Sequence, residues 1–331
     1  MKNFISFLSI GAIGTIATAA VVSLALSTGC TSDPDDGENP SGNGGSGNNP
    51  GNPDGGEGAN GSGTGNSGGG GGNDEPGDHP IDEACGYKTN PRTVADIADK
   101  TDEGQAVRII GAIATTKTFV ASFTKNKGSC LWAFFVKDPD TNRGLMIYRF
   151  GDNAPVDSDL TQCPKSSQAN KVPFDIQPGD IVDIGGKTVA YAPAAATAKG
   201  LPKQRQVKLC AVKKQSSGSV SPVVVTDLGA LVEGNAAYQG LLVQINNPEI
   251  EYVDGGKVLG PYGVIKVKVG DGRFLEVHNK FFYVETGSQQ FDNNTTFQHI
   301  IGISHLDYDN WVIQPRDRCT DFSPQSTVGC N

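Results

Sequence analysis

This sequence is poor in the residues and motifs that usually carry chemistry. It has four histidines, two tryptophans and two methionines in 331 residues. Its cysteines never stand as CxxC, and it contains neither HExxH nor a P-loop. Those absences remove the signatures of zinc ribbons, zincin proteases and P-loop nucleotide hydrolases. Cations are short too: 27 Lys and Arg face 36 Asp and Glu, for a net charge of −9. A nucleic-acid surface needs a basic footprint that releases phosphate counterions, so nucleic acid is an unlikely partner on composition. Long apolar runs are missing beyond the first 30 residues.

The charge deficit is local. Residues 31–80 hold nine acidic residues and no Lys or Arg, which leaves 81–331 with 27 acidic against 26 basic residues. The globular part is therefore near neutral, and the low pI belongs to the segment before it. That segment includes 18 glycines, with Asn, Ser, Pro and acids making up most of the rest. Such a composition cannot bury enough apolar surface to offset its ordering entropy, so it is expected to be disordered. As a random coil it would span about 40 Å. The pattern Gly65-Asn66-Ser67-Gly68-Gly69 matches GxSxG here by composition alone, without the strand and helix that a nucleophile elbow needs.

Met1 and Lys2 open the chain, and Phe4 to Leu26 is apolar or small, ending in Ser27-Thr28-Gly29-Cys30. This ending resembles the lipobox of bacterial lipoproteins, where small residues precede a lipid-modified cysteine. It departs from that pattern at Ser27, where Leu is usual; Leu26 lies one residue further back. The resemblance implies a signal peptide over 1–29, lipid on Cys30 and a tether over 30–80. It also implies membrane attachment in the bacterial envelope, with the outer membrane or cell surface favoured. Several acyl chains on one residue anchor stably, whereas one binds marginally. Ordinary secretion is an alternative. So is an uncleaved span, although Gly, Ser and Thr dilute the stretch and no basic flank stops transfer.

Six further cysteines remain: Cys85, Cys130, Cys163, Cys210, Cys319 and Cys330. An even number in an exported chain reads as three disulfides. Six cysteines allow 15 pairings. Cys319 with Cys330 and Cys130 with Cys163 are two that the spacing permits.

From Cys85 onward the sequence reads as strands and turns, an all-β pattern. The first half offers 106–113, 131–136, 144–148, 180–186 and 206–210. The second offers 240–245, 264–269, 273–277, 299–304 and 310–315. Val264 to Val269 alternates apolar with lysine, and Asp271-Gly272 is a strong hairpin turn. A faint repeat pairs Thr93-Val94-Ala95-Asp96-Ile97 with Val225-Thr226-Asp227-Leu228, each before an opening strand. Thr at such a position suits a helix N-cap.

The pattern resembles tandem OB-fold-like barrels of bacterial exported proteins. The phrase Ile176-Gln177-Pro178-Gly179-Asp180, leading into the strand to Gly186, and the closing Trp311 to Asp317 carry the resemblance. It implies two five-stranded barrels, over 81–218 and 219–331. Immunoglobulin-like β-sandwiches are the alternative. OB barrels bind oligonucleotides or oligosaccharides on the strand 2–3 face and nearby loops. By that resemblance the candidate face is Trp132, Phe134, Tyr148 and Arg149 in the first barrel. In the second it is Lys266, Lys268, Arg273 and Lys280, with Phe282 and Tyr283 nearby. Core packing of the aromatics and ordinary solvation of the lysines would account for the same residues.

Two further clusters bear on chemistry. Asp138, Asp140 and Asn142 have calcium-loop spacing, but Arg143 and Arg149 stand where Gly and Glu are required, which favours a polar hairpin loop. His278, His299 and His305 are too scattered for a zinc signature. His305 near Asp307 and Asp309 could pair a base with an orienting carboxylate, or belong to a polar loop. No catalytic residue, metal or cofactor is expected. The sequence reads as a non-enzymatic display protein with an envelope protein or polysaccharide as partner. An extracellular hydrolase or nuclease-associated OB protein is the alternative.

Overall fold

Alternation decides which side of each strand builds a core. In β4 (Ser129–Lys137), Trp132, Phe134 and Val136 point into one buried cluster, while Ala133 and Phe135 point into another. The computed structural model describes residues 79–100, 102–124, 129–151, 176–253, 255–260, 263–278, 290–327 and 329–330. All of them belong to one compact unit, Ser62–Asn331. Residues 1–78, with Cys30, lie outside the described residues.

The first sheet is a closed ring. It contains β2 (Ala106–Ala114), β4, β5 (Gly144–Gly151), β6 (Asp180–Tyr191) and β7 (Gln204–Ser217). β2 pairs with β4, β4 with β5, β7 with β6 and β6 with β2, all antiparallel, while β5 and β7 run parallel. This is the Greek-key order of an OB-fold, 1-2-3-5-4 and back to 1. An immunoglobulin sandwich keeps two separate sheets, whereas these five strands close one ring.

The second sheet repeats the order. It contains β9 (Leu242–Asn246), β10 (Ile265–Gly270), β11 (Arg273–Val277), β12 (His299–Asp307) and β13 (Asn310–Gln314). Again the third and fifth strands, β11 and β13, are parallel. Just beyond β9 the ring is completed by an Ile250–Val267 bridge. Glu251 N donates to Lys266 O at 2.9 Å, and Lys268 N to Glu249 O at 2.8 Å.

The paired segments of the sequence repeat take matching places. β1 (Pro91–Arg92) and β8 (Val223–Val225) lie parallel against β2 and β9. Each leads to a short helix, α2 (Val94–Ala98) or α4 (Leu228–Val232). Thr93 caps α2, accepting from Asp96 N while the Asp96 carboxylate accepts from Thr93 N. The cap of α4 is Asp227, one residue after the Thr226 that the repeat offered. Asp271 and Gly272 turn the β10–β11 hairpin with φ of 50° and 71°, the positive pair that a type I′ turn requires.

Several elements differ from the sequence reading: β6 reaches Tyr191 and β12 reaches Asp307, past their expected ends. β3 (Phe119–Thr124), which lacks a strong pattern, forms an extra strand on β4. β7 runs to Ser217, past the expected end at Cys210. Its polar end is held by a buried partner rather than by apolar burial. Asp180 accepts from Ser217 Oγ at 2.9 Å and from Lys214 Nζ at 2.9 Å. Burial pushes the Asp180 pKa up, but the Gln177 N–H, Lys214 and Ser217 outweigh it and hold the carboxyl below its ordinary value.

α1 (Pro80–Cys85) sits against β6 and β7. Its Asp82 pairs with Arg108 of β2 at 3.1 Å, both buried. The Cys85–Cys210 disulfide ties the helix to β7, and Cys319–Cys330 closes the C-terminal tail. The Cys130 side chain and Cys163 lie outside the described residues.

Candidate ligand-binding face

The strand 2–3 face of the first barrel is covered by the second barrel. On its outer side Ala133, Phe135 and Met146 meet Leu242 of β9 and Ile303 of β12, with Tyr148, Val220 and Ile301 half-buried around them. Phe135 stacks on Phe119 at 5.9 Å and meets the His305 ring edge-on at 5.7 Å. Backbones touch where side chains cannot fit: a Cβ on Gly144 would collide with the backbone of Gly240. Polar groups close the seam. Leu306 N donates to the buried Gln204 Oε1 at 2.9 Å, and Arg316, paired with Asp321 at 2.7 Å, donates to Thr115 O at 3.2 Å.

This removes the first-barrel residues from the candidate face. Trp132, 5% exposed, and Phe134 belong to the barrel core. Tyr148 lies in the seam, and Arg149 donates to Cys210 O at 2.8 Å. The aromatic-plus-cation pattern there came from residues on opposite sides of a strand, with different structural partners.

On the second barrel the equivalent face is uncovered among the described residues. Lys266 and Phe274 are exposed side by side, the ammonium 5.7 Å from the ring centroid. Lys268 pairs with Glu249 at 2.8 Å and Glu251 at 3.5 Å. Arg273, on the Leu275 side of β11 at the end of the barrel, pairs with Glu233 at 2.9 Å. His278 stands between two carboxylates, with Nδ1 2.9 Å from Asp307 and Nε2 3.1 Å from Glu276. Burial lowers the His278 pKa, but hydrogen bonds and charge from Asp307 and Glu276 outweigh it and raise it above the ordinary value. Lys280, Phe282 and Tyr283 lie outside the described residues.

The β12–β13 turn lies at one end of the same barrel. β11 and β13 are parallel with Glu276 opposite Val312, so this turn and the Asp271-Gly272 turn lie at one end of the barrel. Its Tyr308, at φ 56°, is 65% exposed. The first barrel braces the turn. From the end of α3 (Ala194–Ala198), Lys199 reaches Asp309 at 2.6 Å and Asn310 at 2.9 Å. Ala196 packs with Leu306 and Trp311 beneath it.

The remaining candidates have structural roles. Asp138 is buried and accepts from Asp140 N, Thr141 N and Ala95 N at 3.0–3.1 Å, which makes its hairpin a polar loop. His299 lies on β12 opposite Asn246 and Ser323. His305 packs on Phe135, so the proposed base is in the seam and Asp307 serves His278 instead. The Glu276–His278 partnership was missed, although residues two apart on a strand share a face. Among the described residues, no group of three or more His, Cys, Asp or Glu is arranged to hold a metal ion. Among them too, no helix is long and apolar enough to cross a membrane.

No family model matches the sequence, and no curated protein matches it. Among solved structures the chain is similar to an aspartyl tRNA synthetase from Entamoeba histolytica, at 12% identity and TM-score 0.24, over 41% of this chain and 23% of that one. It is similar to the wild-type single-stranded DNA binding protein from Thermus aquaticus, at 12% identity and TM-score 0.23, over 65% and 92%. A third is a replication protein A heterotrimer bound to ssDNA, at 9% identity and TM-score 0.24, over 55% and 40%. At these scores the fold rests on the strand order and register above.

Proposed function

We propose that this is a non-enzymatic, lipid-anchored binding protein of the bacterial envelope, at the outer membrane or cell surface. Its attachment point is Cys30, and its working surface is the open strand 2–3 face of the second barrel with the Tyr308 turn. One observation carries the choice of surface: the first barrel's equivalent face is covered, and its α3 insert braces the second barrel's turn. The first barrel is thus a support, and one binding face remains. The lipobox-like ending at Cys30 supports the anchor.

Two measurements test this. A fatty-acid probe fed to cells labels the wild type and not Cys30→Ser. A photo-crosslinking amino acid at position 274 gives ligand adducts in living cells, whereas the same group at Ile110, an exposed first-barrel position, gives none. Absence of label from the wild type overturns the anchor. Equal adducts at both positions overturn the choice of surface.

A further inference from the structure

We infer that the ligand of the second barrel's open face is an uncharged oligosaccharide chain. The inference rests on that face being the working surface, and it comes from how the charges of its described residues are spent. Lys268 is held by Glu249 and Glu251, Arg273 by Glu233, His278 by Glu276 and Asp307, and Lys199 by Asp309. A polyanion reaching for these cations would have to displace their carboxylates. A cationic partner would have to displace their lysines, arginine and histidine. Either exchanges one ion pair for another, with little gain at a solvated surface. A neutral ligand leaves every pair in place.

What the face does offer suits a sugar. Phe274 and Tyr308 give exposed aromatic surface on which the C–H face of a pyranose can lie. Lys266 covers one side of the Phe274 ring and keeps donors for a hydroxyl or ring oxygen; among the described residues no carboxylate is within ion-pair distance of it. The carboxylates of Glu249, Glu251 and Glu276 have further lone pairs to accept from sugar hydroxyls. The strand 2–3 face and the turn between the last two strands are also where OB barrels take extended polymers. The Lys199 contact fixes that turn in advance, which reduces the ordering cost on binding.

The test uses the purified full-length protein in detergent micelles and isothermal titration. The probes are neutral gluco-, manno- and galacto-oligosaccharides, a heparin fragment and an oligothymidylate. At least one neutral oligosaccharide is expected to bind, with an affinity that added salt leaves unchanged. Phe274→Ala and Tyr308→Ala should each weaken it about fivefold to tenfold, with Phe274→Trp restoring it and the melting temperature unmoved. If heparin or oligothymidylate binds instead, salt-sensitively and through Phe274, the ligand class is wrong and the surface stands. If a neutral glycan binds but Phe274→Ala and Tyr308→Ala leave its affinity unchanged, the surface is wrong. If no probe binds, the oligosaccharide assignment is overturned, while crosslinking at position 274 still judges the surface separately.

Discussion

Replacing Phe135 by alanine empties the seam between the two barrels without touching the core of either. The ring is fully buried, yet it faces away from the cluster of Trp132, Phe134 and Val136 that fills the first barrel. It stacks on Phe119, meets His305 and sits with Met146, Leu242 and Ile303. A buried Phe→Ala change costs about 3–5 kcal/mol, from lost transfer energy and the cavity left behind. Domains are stable by only about 5–15 kcal/mol, so the loss is a large share of the total. For a unit of this size it corresponds to a fall in melting temperature of about 6–20 °C. Scanning calorimetry on the wild type should show both barrels melting together. Phe135→Ala should lower and split that transition, because each barrel keeps its own core. A single transition displaced by under about 0.5 kcal/mol, the scale of an ordinary surface substitution, would refute the claim that this seam makes the barrels one body.

Three further outcomes follow from the same structure. Non-reducing peptide mapping should recover Cys85 joined to Cys210 and Cys319 joined to Cys330; replacing the first pair by serine should cost about 2–5 kcal/mol in denaturant unfolding. The His278 ring should titrate above the ordinary histidine value of about 6.5 when followed by NMR. Because the folded pKa is raised, its stabilising contribution is full below that ordinary value and is lost as pH rises through the folded value. His278→Gln should therefore destabilise more at mildly acidic than at alkaline pH, and equal effects at both would count against the pairing with Asp307 and Glu276. Asp138→Ala should cost about 2 kcal/mol by leaving three backbone donors unanswered, while added calcium should leave the wild-type melting temperature unchanged.

The barrels were more legible in the sequence than the site was. Strands whose two sides differ announced themselves: β10 alternates Ile, Val and Lys, and Asp271-Gly272 fixes its turn. The repeat was visible because each barrel opens with the same strand-and-helix lead-in. β3 was not visible because its apolar residues pack into a seam made by distant parts of the chain, and the far end of β7 because Asp180 rather than apolar burial holds it. The candidate face divided along the same line. Lys266 and Lys268 do lie on the outside of the second barrel, while Arg273 shares the side of the core residues Leu275 and Val277 and reaches Glu233 at the barrel end. Trp132 looked equivalent on paper, but strand alternation gives two sides without saying which becomes the core. The covering of Phe135 and Met146 depends on contacts with Leu242, Ile303 and His305 of the other barrel, far away in sequence, which local pattern does not encode. His278 was passed over because its second carboxylate, Asp307, comes from a distant strand.

Met146 reports directly on the central claim, that one strand 2–3 face is closed and the other open. Met1 is the only other methionine, and it leaves with the leader if Cys30 becomes the first residue. Met146 is 7% exposed beneath the second barrel, while Phe274 and Tyr308 are 36% and 65% exposed. Hydroxyl-radical footprinting of the folded protein, read by mass spectrometry, should label Phe274 and Tyr308 and leave Met146 unoxidised until the protein is unfolded, despite the sulfur's high reactivity. Rapid oxidation of Met146 in the folded chain, with Phe274 and Tyr308 protected, would contradict the account.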